Sequence, residues 1–257
     1  MEAAGRVESR TGARFTPRVS DVLSLWFIAV IALVLGCAQP ASALHERCHG
    51  VVPTIVGTEG DDVIRGTSGP DVIFGLGGND KIFGLGGDDL ICAGDGDDII
   101  FAGDGDDYAN GNEGNDRIFG EAGNDFPLIG EAGADTIFGG EGNDVLNGLP
   151  GSDVLVGGDG DDGILGWSGN DIILAGAGDD VVTADEGDDI VFGGDGNDSL
   201  YGDARFPFDP VDIGTGNDWL FGQDGEDNLA GGPGLDSCDG GFGLDRTILC
   251  ELIIRVP

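Results

Sequence analysis

Single apolar residues recur at every ninth position through most of this chain, as in Ile64, Ile73, Ile82, Ile91 and Ile100. Each of them is the centre of a three-residue segment, and a six-residue segment rich in glycine and aspartate precedes it. Side chains alternate between the two faces of a strand, so the central residue would point inward and its neighbours outward. The pattern therefore predicts short strands joined by tight turns and stacked as a repetitive all-β solenoid.

The repeat can be written G-G-x-G-x-D-x-U-x, where U is apolar. Position 4 is always glycine and position 6 is always aspartate, whereas the glycine at position 2 is often replaced. The twenty aspartates at position 6 are Asp62, Asp71, Asp80, Asp89, Asp98, Asp107, Asp116, Asp125, Asp135, Asp144, Asp153, Asp162, Asp171, Asp180, Asp189, Asp198, Asp218, Asp227, Asp236 and Asp245.

Two steps in this series are longer than nine residues. The step from Asp125 to Asp135 is ten residues, and the step from Asp198 to Asp218 is twenty. The longer step is explained by an 11-residue insert, expected at 202–212, whose two prolines and two phenylalanines cannot continue the pattern. The domain organisation predicted from these steps is an N-terminal cap at 44–56, the repeat array at 57–248 and a C-terminal cap at 249–257.

The residue types of the turn point to calcium chemistry. Glycine allows backbone angles that are closed to other residues, so such a turn can coil tightly and aim its carbonyl groups at one point. Aspartate adds a hard anionic oxygen, and calcium takes six to eight oxygen ligands in flexible geometry. Two nonapeptides would make one coil of the solenoid. We therefore expect each ion to lie between turns 18 residues apart, as between Asp80 and Asp98 or between Asp89 and Asp107.

The runs Gly157-Gly158-Asp159-Gly160-Asp161-Asp162 and Gly193-Gly194-Asp195-Gly196-Asn197-Asp198 resemble the RTX, or hemolysin-type, calcium-binding repeat. The resemblance extends over nearly the whole chain after residue 56. It implies a right-handed parallel β-roll that folds with several calcium ions in an extracellular setting. It does not imply one activity, because repeats of this family accompany toxins, proteases, lipases and adhesins.

The charge of the chain sharpens this interpretation. A formal net charge of −38 excludes nucleic acid as a partner. It also opposes folding without a counterion, because the predicted core is a thin file of single apolar residues. Calcium binding would then supply the free energy of folding. An acidic disordered tail would explain the charge but not the fixed spacing of glycine and aspartate, although it describes the expected state without calcium.

Residues 1–43 have the features of a secretory signal peptide. Residues 22–38 are uncharged and mostly apolar, and Ala41-Ser42-Ala43 offers a small-x-small cleavage site. The apolar run is short for a membrane span, and the mature chain is expected to contain none. An uncleaved membrane anchor remains an alternative, and so does a lipid anchor at Cys37. The basic residues that precede the apolar run are Arg6, Arg10, Arg14 and Arg18.

Cysteine usage agrees with an exported protein. Removal of the signal peptide leaves Cys48, Cys92, Cys238 and Cys250, and an even number in an exported chain indicates disulfides. Three pairings are open. The positions favour Cys48 with Cys92 and Cys238 with Cys250, because each pair flanks one end of the array. Free or intermolecular thiols are the alternative.

One motif suggests an enzyme. The segment from His45 to His49 matches H-E-x-x-H, the signature of zinc proteases. A zinc protease of this type needs a third ligand and a cleft with walls, but the chain contains only these two histidines. We find no other catalytic constellation in the sequence, since the paired carboxylates have a better use as calcium ligands.

Position 9 of every second repeat is apolar and would lie on one outward face. These residues are Phe83, Phe101, Phe119, Phe138, Val156, Leu174, Phe192 and Phe221, and position 7 adds Ile99, Val154, Ile172, Ile190 and Trp219. The opposite face is more mixed, with Asn110, Asn147 and Thr183 at equivalent places. The apolar column is either an ordinary ladder of strand-forming residues or a surface for self-association or a ligand, centred on Phe83, Phe101, Phe119 and Phe138.

Together these features predict a secreted calcium-binding protein whose β-roll folds on calcium binding and has no catalytic activity of its own. A cell-surface adhesion or assembly module that uses the aromatic face is the alternative. An enzyme acting through the N-terminal histidines or the insert is a third hypothesis.

Overall fold

Successive repeats of the chain alternate between two parallel β-sheets. The computed structural model describes residues 50–203, 216–250 and 252–253. Within these ranges the chain forms strands and turns without any helix, and each sheet contains 11 strands. Every strand pairs in parallel with the strand two places along the chain. The all-β parallel solenoid predicted from the nine-residue period is confirmed.

The strands are numbered in chain order. The first sheet contains β1 (Ile55–Val56), β3 (Val72–Gly77), β5 (Leu90–Asp95), β7 (Tyr108–Glu113), β9 (Leu128–Ala132), β11 (Val145–Pro150), β13 (Gly163–Ser168), β15 (Val181–Glu186), β17 (Ser199–Tyr201), β19 (Asn228–Ala230) and β21 (Arg246–Ile248). The second contains β2 (Val63–Arg65), β4 (Lys81–Gly86), β6 (Ile99–Asp104), β8 (Arg117–Ala122), β10 (Thr136–Glu141), β12 (Val154–Asp159), β14 (Ile172–Ala177), β16 (Ile190–Asp195), β18 (Trp219–Asp224), β20 (Ser237–Asp239) and β22 (Leu252–Ile253).

The register between strands equals two nonapeptides. Ile73 of β3 pairs with Ile91 of β5, and Ile82 of β4 pairs with Ile100 of β6. Each coil therefore contains 18 residues, and equivalent positions of the repeat stack directly on one another. The solenoid has about ten coils of this kind. Most strands are twice as long as the predicted triplet, because they continue through positions 1 to 3 of the following turn, of which positions 2 and 3 pair with the next coil.

The core consists of the residues at position 8. They point inward from both sheets and form one contiguous cluster. Four alanines at position 1, such as Ala93 and Ala102, extend the same cluster. The core has no second layer, so its stability depends on the stacking of coils. Large side chains without exposed surface in this core are Ile73, Ile82, Ile91, Ile100, Ile118, Leu128, Ile137, Leu146, Leu155, Ile164, Ile173 and Leu200.

Both irregular steps are absorbed without loss of register. At the ten-residue step, Phe126 donates its backbone N–H to the Asp107 carbonyl, and the backbone N–H of Ala109 bonds to the Pro127 carbonyl. Pairing of β11 with β9 continues at Leu128. At the twenty-residue step, Ile190 pairs with Trp219, so the coils on either side of the insert stack as neighbours.

The insert lies mostly outside the described residues. Gly202 and Asp203, at its expected beginning, still follow the turn: their N–H groups donate to the carbonyls of Ala230 and Gly231. Residues 204–215 lie outside the described part of the chain.

The predicted pairing of Cys238 with Cys250 is confirmed, with a Cα–Cα distance of 6.0 Å. Cys238 occupies position 8 and is fully buried, so the last disulfide continues the core column. Cys92 is also disulfide-bonded. Its expected partner Cys48 lies outside the described residues, and so do the signal peptide, Cys37 and the H-E-x-x-H segment. Among the described residues, no helix could cross a membrane.

The predicted column of position-9 residues is present on the outer face of the second sheet. Phe83, Phe101, Phe119 and Phe138 stack in sequence, with ring centroids 4.8–5.2 Å apart. Phe192 and Phe221 stack in the same way at 4.9 Å. The outer face of the first sheet carries a second apolar cluster of Phe74, Cys92, Tyr108 and Ile129, and Asn110, Asn147 and Thr183 on that face are buried.

Candidate calcium sites

The position-6 aspartates form two continuous ladders along the edges of the solenoid. One carboxylate oxygen, Oδ1, accepts the backbone N–H of the aspartate one coil earlier. In this way Asp98 accepts from Asp80 at 2.7 Å, and Asp116 accepts from Asp98 at 2.8 Å. The ladder crosses both irregular steps, since Asp144 accepts from Asp125 and Asp218 accepts from Asp189. One half of each of these carboxylates is thus fixed by the backbone.

The second carboxylate oxygen, Oδ2, has no such partner along most of the ladder. It is buried and makes no hydrogen bond in Asp80, Asp89, Asp98, Asp107, Asp116, Asp125, Asp135, Asp144, Asp153, Asp162, Asp171, Asp180, Asp189, Asp198, Asp218 and Asp227. An anionic oxygen buried without a partner is costly unless a cation or proton satisfies it. The unsatisfied atoms are hard oxygen ligands, as calcium requires.

The first two aspartates of the array differ from the rest. The Oδ2 atom of Asp62 accepts hydrogen bonds from the N–H and hydroxyl of Thr58, at 2.6 and 2.8 Å. The Oδ2 atom of Asp71 accepts the N–H of Thr67 at 2.6 Å. Threonine at position 2 thereby satisfies the carboxylates of the first two turns. At the other end, Asp245 is partly exposed.

Glycine at position 1 leaves room for the carboxylate of its own repeat. A Cβ atom built on Gly231 would lie 2.5 Å from the Oδ2 atom of Asp236, and one built on Gly240 would lie 2.5 Å from that of Asp245. Glycine at position 4 is needed for a different reason, which is the close approach of one coil to the next. Gly114 has a φ of +145°, and a Cβ atom there would overlap the carbonyl of Gly96 in the preceding coil. These glycines permit coils to approach at the spacing of a parallel sheet.

The turn carbonyls complete the set of candidate ligands. Carbonyls at position 6 accept backbone hydrogen bonds from the next coil, as Asp80 does from Ile99 at 2.9 Å. Within the described turns, carbonyls at positions 4 and 5 accept no backbone hydrogen bond. These carbonyls and the aspartate Oδ2 atoms are the groups that would hold calcium between turns.

Burial perturbs the acidity of the ladder. Desolvation raises the pKa of Asp116 to about 8, and it raises the pKa of Asp98 to about 7. Hydrogen bonds from the backbone oppose this increase, while the negative charges of neighbouring carboxylates add to it. The same causes raise the pKa of Asp180 and Asp189 to about 8. The site therefore favours either protonation or a bound cation over bare carboxylates.

A second, exposed ladder runs beside the first and was not predicted from the sequence. It consists of the position-5 residues, many of which are aspartate or asparagine. Asn115 donates its N–H and side-chain amide to Asp97, at 2.9 and 3.0 Å, and these bonds lower the pKa of Asp97. Where an amide stands between two carboxylates, as Asn79 does between Asp61 and Asp97, it separates charges that would otherwise repel along the stack.

Asp203 was also missed by the sequence analysis. It occupies position 2 of the turn from which the insert departs, and it is fully buried. One carboxylate oxygen from each of Asp203, Asp218 and Asp236 lies within 4.8 Å of the others. The only sequence signal was an aspartate at a variable position next to an interruption of the repeat.

Comparison with known proteins agrees with this geometry. A family model described as the RTX calcium-binding nonapeptide repeat matches residues 56–91, 93–127, 128–204 in overlapping segments, and 212–246. A sequence search against characterised proteins gives no match.

Proposed function

The chain belongs to the RTX calcium-binding nonapeptide repeat family, and from this premise we propose that it is a secreted protein whose β-roll folds when calcium binds between its turns. The twenty position-6 aspartates are the proposed ligands, together with the turn carbonyls. The observation that carries the proposal is the row of buried Oδ2 atoms without hydrogen-bond partners, from Asp80 to Asp227. Such a row is unstable without cations and is well suited to them.

Calcium would act here as a structural element rather than as a reagent. Each coil contributes one position-8 side chain from each sheet to the core, and the chain carries a net charge of −38. Its many glycines lose much conformational entropy on folding. Ions bound between coils offset the repulsion of stacked carboxylates and join each turn to the next, so binding energy becomes folding energy.

We infer further that the protein has no catalytic activity of its own and works outside the cytoplasm. In support of the first point, the position-6 carboxylates are already engaged in the backbone ladder. In support of the second, the disulfide between Cys238 and Cys250 suits an oxidising compartment. The signal peptide proposed at 1–43 would provide the route. Zinc-dependent peptide cleavage abolished by replacing His45 and His49 with alanine would contradict the first point.

Titration calorimetry of the chain with calcium tests the binding proposal. We expect several calcium ions to bind in a process coupled to folding. Magnesium should substitute poorly at equal concentration, because it is smaller and demands near-octahedral geometry at shorter distances. Failure to bind calcium at millimolar concentration, or equal binding of both ions, would contradict it.

A second candidate function is adhesion or assembly through the aromatic column of the second sheet. The observation that favours it is the unbroken stack of Phe83, Phe101, Phe119 and Phe138, whose outer edges are only partly buried. Cations border the stack at one end, with Arg65 4.5 Å from the ring centroid of Phe83. Burial of each ring against a partner would contribute on the order of 1.5–3 kcal/mol.

The variant Phe119→Asp tests this second function. The side chain of residue 119 points away from the core, so calcium-dependent folding should persist while self-association or surface binding weakens. Sedimentation of both proteins in saturating calcium measures the effect. A wild-type protein that stays monomeric and binds no surface would contradict this second function and would mean that the column only stabilises the sheet.

A further inference from the structure

The turn that carries the insert contains one carboxylate more than the repeat requires. Asp203 stands at position 2, where eight of the other nineteen turns have glycine, and its side chain is fully buried. Its N–H donates to the carbonyl of Gly231 at 2.8 Å, which fixes its backbone against the following coil. Asp218 and Asp236, the position-6 aspartates of the same two turns, lie beside it.

The backbone of Asp203 explains why its carboxylate reaches this place. Non-glycine residues at position 2 are otherwise commonly left-handed; Glu121, Glu131 and Asp185 have φ values of 75–77°. Asp203 is not among the residues with positive φ. The insert follows immediately, and the backbone at Asp203 differs from these turns in φ although its N–H still bonds to the next coil. Across the stack, Gly232 occupies position 2 of the next coil, and a Cβ atom there would lie 2.7 Å from the Cβ of Asp203.

A buried atom in this cluster points to a ligand. The Oδ1 atom of Asp218 accepts the N–H of Asp189 at 3.0 Å, but its Oδ2 atom is fully buried and makes no hydrogen bond. Asp218 itself has no exposed surface. Among the described residues, Asp203, Asp218 and Asp236 are the one group of three carboxylates with an oxygen from each within 4.8 Å of the others. The buried Oδ2 atom of Asp218 is costly unless a cation or a proton satisfies it.

We propose that Asp203, Asp218 and Asp236 bind a calcium ion of their own at the base of the insert, more tightly than the ions between ordinary turns. The inference rests on the calcium binding proposed above. Its basis is the number of carboxylates, since calcium affinity rises with the charge of the ligand set. The ion would fasten the coil that the insert interrupts to the coil that follows it.

The matched variants Asp203→Asn and Asp185→Asn test this site. Asp185 is the position-2 aspartate of the preceding coil, is also buried, and lies outside the cluster. Calcium titration calorimetry of the full chain should show one tight ion in the wild type and in Asp185→Asn. In Asp203→Asn the affinity for that ion should fall by at least about tenfold, while circular dichroism in saturating calcium shows that the variant folds.

The outcomes separate this site from the general proposal. Calcium-coupled folding with identical isotherms for both variants would overturn the role of Asp203 and leave the repeat sites intact. Absence of calcium binding in all three proteins would overturn both. If Asp203→Asn fails to fold, a crystal structure of the calcium-loaded wild type decides the question. An ion about 2.3–2.6 Å from an oxygen of each of the three aspartates supports the site. An ion that is not coordinated by Asp203 overturns it.

Discussion

Each central aspartate joins three coils of the solenoid through two different groups. Its backbone N–H reaches the carboxylate of the next coil, and its own Oδ1 atom receives the N–H of the preceding one. The remaining oxygen faces a buried space without a hydrogen-bond partner. Position in the stack should therefore decide how much a substitution costs.

Replacement of Asp98 with alanine should disrupt the turns of both Asp80 and Asp116. The variant leaves the Asp80 N–H buried without its acceptor, at a cost of about 1–3 kcal/mol, and it removes a candidate ligand. Asp245→Ala is the matched control, because Asp245 is partly exposed and serves one neighbour, with a bond of 3.2 Å from Asp227. Equilibrium dialysis and thermal unfolding in calcium should show the larger loss for Asp98→Ala. Equal losses of bound calcium would argue against paired half-sites.

At the scale of the coil, close stacking depends on glycine at position 4. The carbonyl of each such glycine lies where the next one would carry a side chain, as in the contact between Gly96 and Gly114. The first turn is different, because a Cβ atom on Gly60 meets nothing within 4 Å among the described residues. The same substitution should thus have different effects at the two places.

The variant Gly114→Ala should lower the free energy of unfolding in calcium by more than about 1–2 kcal/mol, because it adds backbone strain at positive φ and a clash with Gly96. Gly60→Ala should change it by less than about 0.5 kcal/mol. Denaturant unfolding of both variants at saturating calcium provides the comparison. Similar losses of stability in Gly60→Ala and Gly114→Ala would mean that coil stacking is not the reason for glycine at position 4.

The coil period and the core could be predicted from the sequence because the same chemistry repeats at a fixed spacing. Isoleucines such as Ile82 and Ile100 pair as the period requires. The exceptions depend on neighbours far away in sequence. The hydrogen bond from Asn115 to Asp97 forms only when coils stack, so the sequence alone does not reveal it. The buried position of the Asp203 side chain occurs where the insert interrupts the repeat, and the nine-residue period does not describe such a place.

At the scale of the whole molecule, stability without metal should depend on pH. Burial and neighbouring charges raise the pKa of Asp116 and Asp180 from near 3.8 to about 8. The folded state therefore holds protons that the unfolded state has released. This contribution is fully present below a pH of about 4 and is lost as the pH rises through about 8.

We accordingly expect the chain in chelator to gain β-structure as the pH falls from 8 to 4. Far-UV circular dichroism measures the change, and sedimentation at each pH separates folding from aggregation near the sequence pI of 4.1. Calcium-saturated protein serves as the control and should be folded at pH 8. A chelated chain with the same β-signal at both pH values would show that carboxylate charge does not control the fold.

The central claim is that calcium makes this chain fold, and far-UV circular dichroism during a calcium titration at neutral pH tests it most directly. The account predicts a largely unfolded chain in chelator, a cooperative gain of β-structure as calcium rises, and reversal when chelator is added in excess. A chain that shows its full β-signal in chelator, with a melting temperature unchanged by calcium, would contradict it.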